Sequence, residues 1–184
     1  MKNTIVAILS VMALSACQSV PPLSFSVPNV GVSKHKIDAD AKSMTVTVAR
    51  PDEQVGNIRA GVGGGTVPQL WQTSLIEALN RMTIFQDDSP KKVNISVKIT
   101  RFELSFGRYD CSARYEIIDR KTGDIIFTQD ISSVGEDNSV VGATRITNAV
   151  NRAVQNNISL FLQALETVDA NKPMFPVKKV VNSK

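Results

Sequence analysis

Apolar and polar positions change period several times along this chain, and each change marks an element. Met44, Val46 and Val48 alternate with Thr45 and Thr47. This period of two predicts a strand over about Lys42 to Arg50, ended by Pro51. Leu70, Trp71, Ser74, Leu75, Ala78, Leu79 and Met82 recur at three- and four-residue spacing. A helix is therefore expected from Val67 to about Met82, with Thr66 as N-cap and Pro68 inside the first turn. Period two returns in Val93, Ile95, Val97 and Ile99, then slips by one at Thr100-Arg101, after which the apolar positions are Phe102, Leu104 and Phe106. A β-bulge at the slip keeps both halves of one long strand on the core face. Tyr109, Cys111, Ala113, Tyr115 and Ile117 predict the next strand, Asp119 to Asp124 a hairpin turn with Gly123 suited to positive φ, and Ile125 to Ile131 the returning strand. From about Gly142 or Ala143 to Thr167 an apolar face predicts a second helix, about 37 Å long at ~1.5 Å per residue. Its one polar member, Asn157, is expected near an edge. The sum is an α+β two-layer sandwich: about four mainly antiparallel strands in one sheet, with two helices on one face.

The first seventeen residues follow none of these periods. Lys2, an apolar run from Ile5 to Ala13 and small Ser15-Ala16 before Cys17 read as a secretory signal. The run is too short for the roughly 20 residues that span a bilayer. Leu14-Ser15-Ala16-Cys17 resembles the lipobox of bacterial lipoproteins. That resemblance implies acylation of Cys17, palmitate included, as the first mature residue, and Gln18 in place of aspartate implies the periplasmic face of the outer membrane. A signal cleaved by the ordinary peptidase is the alternative, leaving Cys17 as a stray thiol in an oxidising compartment. Pro21, Pro22 and Pro28 forbid helix, so residues 17–41 are expected to form an extended tether that lends a short edge strand around Phe25 to Val27. Roughly ten extended residues would lift the body some 30 Å. The expected organisation is a signal peptide at 1–16, that tether, an α+β domain at 42–168, and a basic, flexible, proline-bearing tail at 169–184.

Removal of the signal leaves 168 of 184 residues, one domain of ordinary size, and lowers the formal charge from +4 to +3. So small an excess, with no concentrated basic stripe outside the tail, argues against nucleic acid as a partner. With Cys17 lipidated, Cys111 has no partner, and it reads as a small buried thiol among inward strand positions. His35 is the single histidine and lies between Lys34 and Lys36 in the tether, where it reads as solvated. No metal, no cofactor and no catalytic constellation is expected from this set. Gly61-Val62-Gly63-Gly64-Gly65-Thr66 precedes a helix but lacks the lysine of a phosphate loop and the third glycine of a dinucleotide fingerprint. It reads as a flexible loop or hinge. Asp119, Asp124, Glu136 and Asp137 lack calcium-loop spacing. Trp71 reads first as core; with Phe102 and Phe106 it forms the candidate set for contact with a ligand or partner.

Leu14-Ser15-Ala16-Cys17, the helix from Trp71 to the apolar exit at Phe85, Val93-Asn94-Ile95-Ser96-Val97 and Asn148-Ala149-Val150-Asn151-Arg152-Ala153-Val154 together resemble the YajG-type family of small proteobacterial lipoproteins. More distantly the layout is similar to the auxiliary lipoproteins of ABC-type lipid transport. The resemblance covers roughly Met44 to Leu165 and implies location and fold, with Cys17 the single functional residue to carry over. The expected role is a non-enzymatic accessory or interaction subunit of a cell-envelope complex, held to the outer membrane through lipid on Cys17 and touching an envelope protein. The alternative is a binding module for an apolar or amphiphilic envelope ligand seated among Trp71, Phe102, Leu104 and Phe106.

Overall fold

The computed structural model describes residues 20–59, 66–105, 108–140, 142–172 and 174. Its elements run β1 (Asp40–Val48), a 3-10 turn (Pro51–Glu53), α1 (Thr66–Met82), β2 (Lys92–Ser105), β3 (Arg108–Asp119), β4 (Ile125–Gly135) and α2 (Gly142–Leu165). The sheet order is β1-β2-β3-β4. The expected α+β sandwich is present. The sheet is mixed: β2, β3 and β4 are antiparallel, whereas β1 runs parallel to β2. Helix α1 between them supplies the long connection that a parallel pair requires.

The expected bulge lies where the phase slips. The β2–β3 register shifts between Ile99 and Arg101, and Ile99, Thr100 and Phe102 are all buried. A second irregularity, opposite Ile117 and Ile118, leaves Ile126 as the extra residue. It explains why Ile125-Ile126-Phe127 blurs the alternation, since Ile126 and Phe127 are both buried. Both helices cover the face carrying Val93, Ile95, Val97, Ala113, Tyr115 and Ile117. The other face bears Ser96, Lys98, Arg114, Glu116 and Asp130, polar residues that need no cover.

Two expectations change. The segment read as a free tether is bound to the body. Phe25, Val27, Ile37 and Ala39 are at most 5% exposed. Ser24 N–H donates to Asn151 Oδ1, Gln155 Nε2 to Ser24 O, and Asn151 Nδ2 to Pro22 O, fixing the segment to α2. Ser26 Oγ and the Val27 carbonyl bond Glu77 and Arg81 of α1. Proline correctly excludes helix here, but an extended chain with apolar residues at positions 25 and 27 finds burial against both helices. The packed body thus begins near Pro22, not at residue 42. It also extends into the expected tail: Val168 and Ala170 are buried, and Met174 N–H bonds Ile125 O. The tail beyond Met174 lies outside the described residues.

Asn157 is the second change, for it is not at an edge but fully buried. Its amide donates to Ile131 O at 2.9 Å and Ser133 Oγ at 3.1 Å, while its carbonyl accepts from Tyr115 Oη at 2.8 Å. Trp71 Nε1–H in turn donates to Tyr115 Oη at 3.3 Å. This chain joins α1, β3, α2 and β4 and satisfies every buried polar atom in it.

Candidate functional site: the open edge of the sheet

A sheet has two edges, and each exposes backbone groups that need partners. At β4, side chains of α2 meet two strand carbonyls. Asn156 Nδ2 and Asn157 Nδ2 donate to the carbonyls of Val134 and Ile131, and Arg152 reaches the carbonyl of Glu136 just past the strand. Gly135 lets the helix approach this closely, because a Cβ there would collide with the Ala149 carbonyl and the Ala153 amide.

At β1 the edge is largely open. Asp40 and Ala49 direct their N–H groups to Lys91 O, just before β2, and to Ile99 O on it. By strand alternation, with Lys42 taken up in the irregularity between Ala41 and Ser43, the backbone groups of Met44, Val46 and Val48 point away from the sheet. Among the described residues one bond meets them, from Gln72 Nε2 to Met44 O at 2.9 Å. Beside this edge lies a groove of about 470 Å³ lined by Lys42, Met44, Ile76, Leu79, Phe85 and Asp87. Ile76, on the outer side of α1, is 40% exposed.

Charged residues bracket the strand. Asp40 is held by Lys42 and Lys92 at 2.7 and 2.8 Å, and their hydrogen bonds lower its pKa. At the other end Arg50 lies 3.4 Å from Glu53, whose carboxyl is depressed to about 2, first by the hydrogen bond from Lys98 and then by Arg50. Between Lys42 and Arg50 the sequence carries no charge. The chain then rejoins β2: Phe102 N–H bonds Asn57 O and Arg59 N–H bonds Phe102 O. Asn57 Nδ2 and Arg101 both hold Glu103, whose pKa is lowered as a result.

The residues singled out from sequence mostly lie elsewhere. Cys17, Phe106 and the Gly61–Gly65 loop are outside the described residues. Trp71 is fully buried, and Phe102 is 2% exposed with its ring edge-to-face on Tyr109. Neither lines the groove or offers a surface to a partner. His35 is not solvated: its Nε2 lies 2.8 Å from Val168 O, and it is half-buried. Cys111 is buried as expected, and burial pushes its thiol pKa up, away from nucleophilic use. Asp119 accepts from the N–H groups of Lys121 and Thr122 in the hairpin turn. Asp137 is held by Ser139, Asn148 and Arg152, and its pKa is lowered. Among the described residues no group of three His, Cys, Asp or Glu is placed to hold a metal ion. Sequence reasoning missed the edge itself, although the uncharged alternation from Ser43 to Ala49 was its signal.

No protein-family model matches the chain, and no curated protein matches it. Solved structures do. A Xanthomonas campestris protein of the family DUF330 is 11% identical over 77% of this chain and 90% of its own, with a TM-score of 0.53. That likeness is one of fold. Weaker likenesses join a Caulobacter crescentus protein provisionally described as a lipoprotein, 18% identical over 62% of this chain and 87% of its own, TM-score 0.39. A dodecameric PelC variant from Paraburkholderia phytofirmans is 11% identical over 73% of this chain and 92% of its own, TM-score 0.45.

Proposed function

We propose that this chain is an outer-membrane lipoprotein of the YajG type, facing the periplasm and acting as a non-enzymatic accessory subunit of an envelope complex. The observation that carries the reading is the seating of the chain just after the lipobox. Pro22 and Ser24 are bonded to Asn151 and Gln155 of α2, so five residue steps separate Cys17 from the first of these contacts. At ~3.3 Å each they reach roughly 17 Å. A lipid on Cys17 would hold the body close to the bilayer, and three acyl chains make such an anchor stable. Contact with the complex then falls to a surface that leaves backbone and apolar groups unsatisfied, and the β1 edge with its groove is such a surface.

Fractionation tests the anchor. The parent chain is expected in outer membranes and labelled by fatty acid, and Cys17→Ala is expected to lose both. A Cys17→Ala chain that stays in outer membranes overturns the anchoring. A photocrosslinker at Ile76 tests the contact: protein adducts are expected there, and none at Lys121 in the hairpin turn.

A further inference from the structure

We propose that the end of the sandwich where β4 turns into α2 rests on the phospholipid surface of the membrane, with Val140 set among the headgroups. The inference rests on the reading of Cys17 as lipid-bearing and names the face that the anchor turns to the bilayer. The course of the chain fixes that end. Pro22 and Ser24 bond Asn151 and Gln155, Ser26 and Val27 bond Glu77 and Arg81, Ser33 N–H bonds Met82 O, and His35 meets Val168 O. The segment thus descends along both helices in their own direction. Followed backward from Pro22, it climbs toward the start of α2. Gly135, the last residue of β4, already lies against Ala149 and Ala153, so residues 142–148 extend about 10 Å past it at ~1.5 Å per residue. The reach of roughly 17 Å from Pro22 to Cys17 keeps the anchor on this side. The last turn of α2, at Leu165, lies about 21 Å down the helix from Asn151.

Exposed apolar side chains gather at the same end. Among the described residues ten large apolar side chains stand exposed, and five of them, Val20, Leu104, Val134, Val140 and Ile146, lie here. Leu104 and Val134 pair with Tyr109 and Asp110 at the top of the sheet. Val140 is 101% exposed at the turn into α2, a position that burial within the chain does not explain. Charge agrees with an anionic partner. Arg108 and Arg152 are 48% and 57% exposed, and Arg145 is exposed in the first turn of α2. Of the acids beside them, Asp110 and Asp137 are buried and held by Arg108 and Arg152, which leaves Glu136 exposed. A headgroup layer accepts this mixture, since arginine meets phosphate while an apolar side chain reaches the acyl boundary. The groove beside β1, lined by Lys42, Leu79 and Asp87, lies toward the other end and stays free for the protein contact.

Photocrosslinking in cells grown with radioactive phosphate tests the surface. A benzophenone amino acid replaces Val140 in the full-length chain. After irradiation and purification in denaturant the chain is expected to carry phosphate label, above an unirradiated control, that phospholipase C releases. The same residue at Val32, 72% exposed but at the opposite end, is expected to carry at least tenfold less. Arg145→Glu sets a like charge against the phosphates and should cut the label at position 140 several-fold, with the melting temperature near the parent's because the side chain is exposed. The proposal is overturned by no label at position 140, by equal label at position 32, by protein adducts in place of lipid, or by label indifferent to Arg145→Glu. A chain that carries fatty acid before irradiation and no phosphate label after it leaves the anchoring standing and overturns this surface alone. A chain without fatty acid that still takes the label at position 140 overturns the anchoring and supports the surface.

Discussion

Asn157 shows how one side chain can be essential to a fold without belonging to its surface chemistry. Its amide group engages Tyr115, Ile131 and Ser133 inside a layer that is otherwise apolar. Asn157→Leu would leave a buried hydroxyl and a buried carbonyl short of partners. The expected cost is about 3 kcal/mol in urea unfolding, with the same end state by circular dichroism. Gly135→Ala should destabilise by a similar amount for a different reason, the collision with the α2 backbone. Cys111 should stay unmodified by a thiol reagent in the native chain and react on unfolding, since burial keeps it protonated. The periodicity placed Cys111 correctly. It misplaced Asn157, because a polar residue within an apolar face looks the same in sequence whether it sits at a rim or bonds three groups at the centre.

At the scale of elements, β1 carries outward backbone groups at Met44, Val46 and Val48, which among the described residues are met by one side chain, Gln72. Proline substitution reads this directly, because a strand alternates its backbone groups between the two sides. Thr47→Pro removes a donor that points to β2 and should cost about 3 kcal/mol; Val48→Pro removes one that points outward and should cost far less. Equal losses in thermal unfolding would refute the assigned orientation. The phase slip at Thr100, the helix spans and the hairpin at Gly123, whose φ is 76°, were all legible as periods and turn residues. The direction of β1 was not. An alternating strand reads the same parallel or antiparallel, a helix between two strands is compatible with either, and the observed pairing with β2 settles it.

For the whole molecule, the segment before β1 is part of the packed body. Phe25→Ala should therefore lower stability by about 3–4 kcal/mol, whereas a free tether would leave the melting temperature unchanged. Acid should act through the carboxylates that bind the edge and loops. Glu53 titrates near 2 in the folded chain against 4.5 for a free side chain, and Asp40, Glu103 and Asp137 are shifted the same way. A depressed folded pKa contributes stability above the unfolded value and loses it as protons bind. Melting temperature should thus fall as pH drops from about 4.5 toward 2, and Glu53→Gln should flatten part of that fall. The sequence by itself determined the element order, the α+β class, the bulge and the buried Cys111. Each of these depends on local periodicity or on a short motif, which neighbours in space do not alter. Only the tertiary structure decided that Phe25 and Val27 lie under cover, that Asn157 is central, and that among the described residues one bond meets the outward backbone groups of Met44, Val46 and Val48. Those outcomes depend on which surfaces meet after the chain has folded back on itself, and a linear pattern of apolar residues records the need for burial but not the partner that provides it.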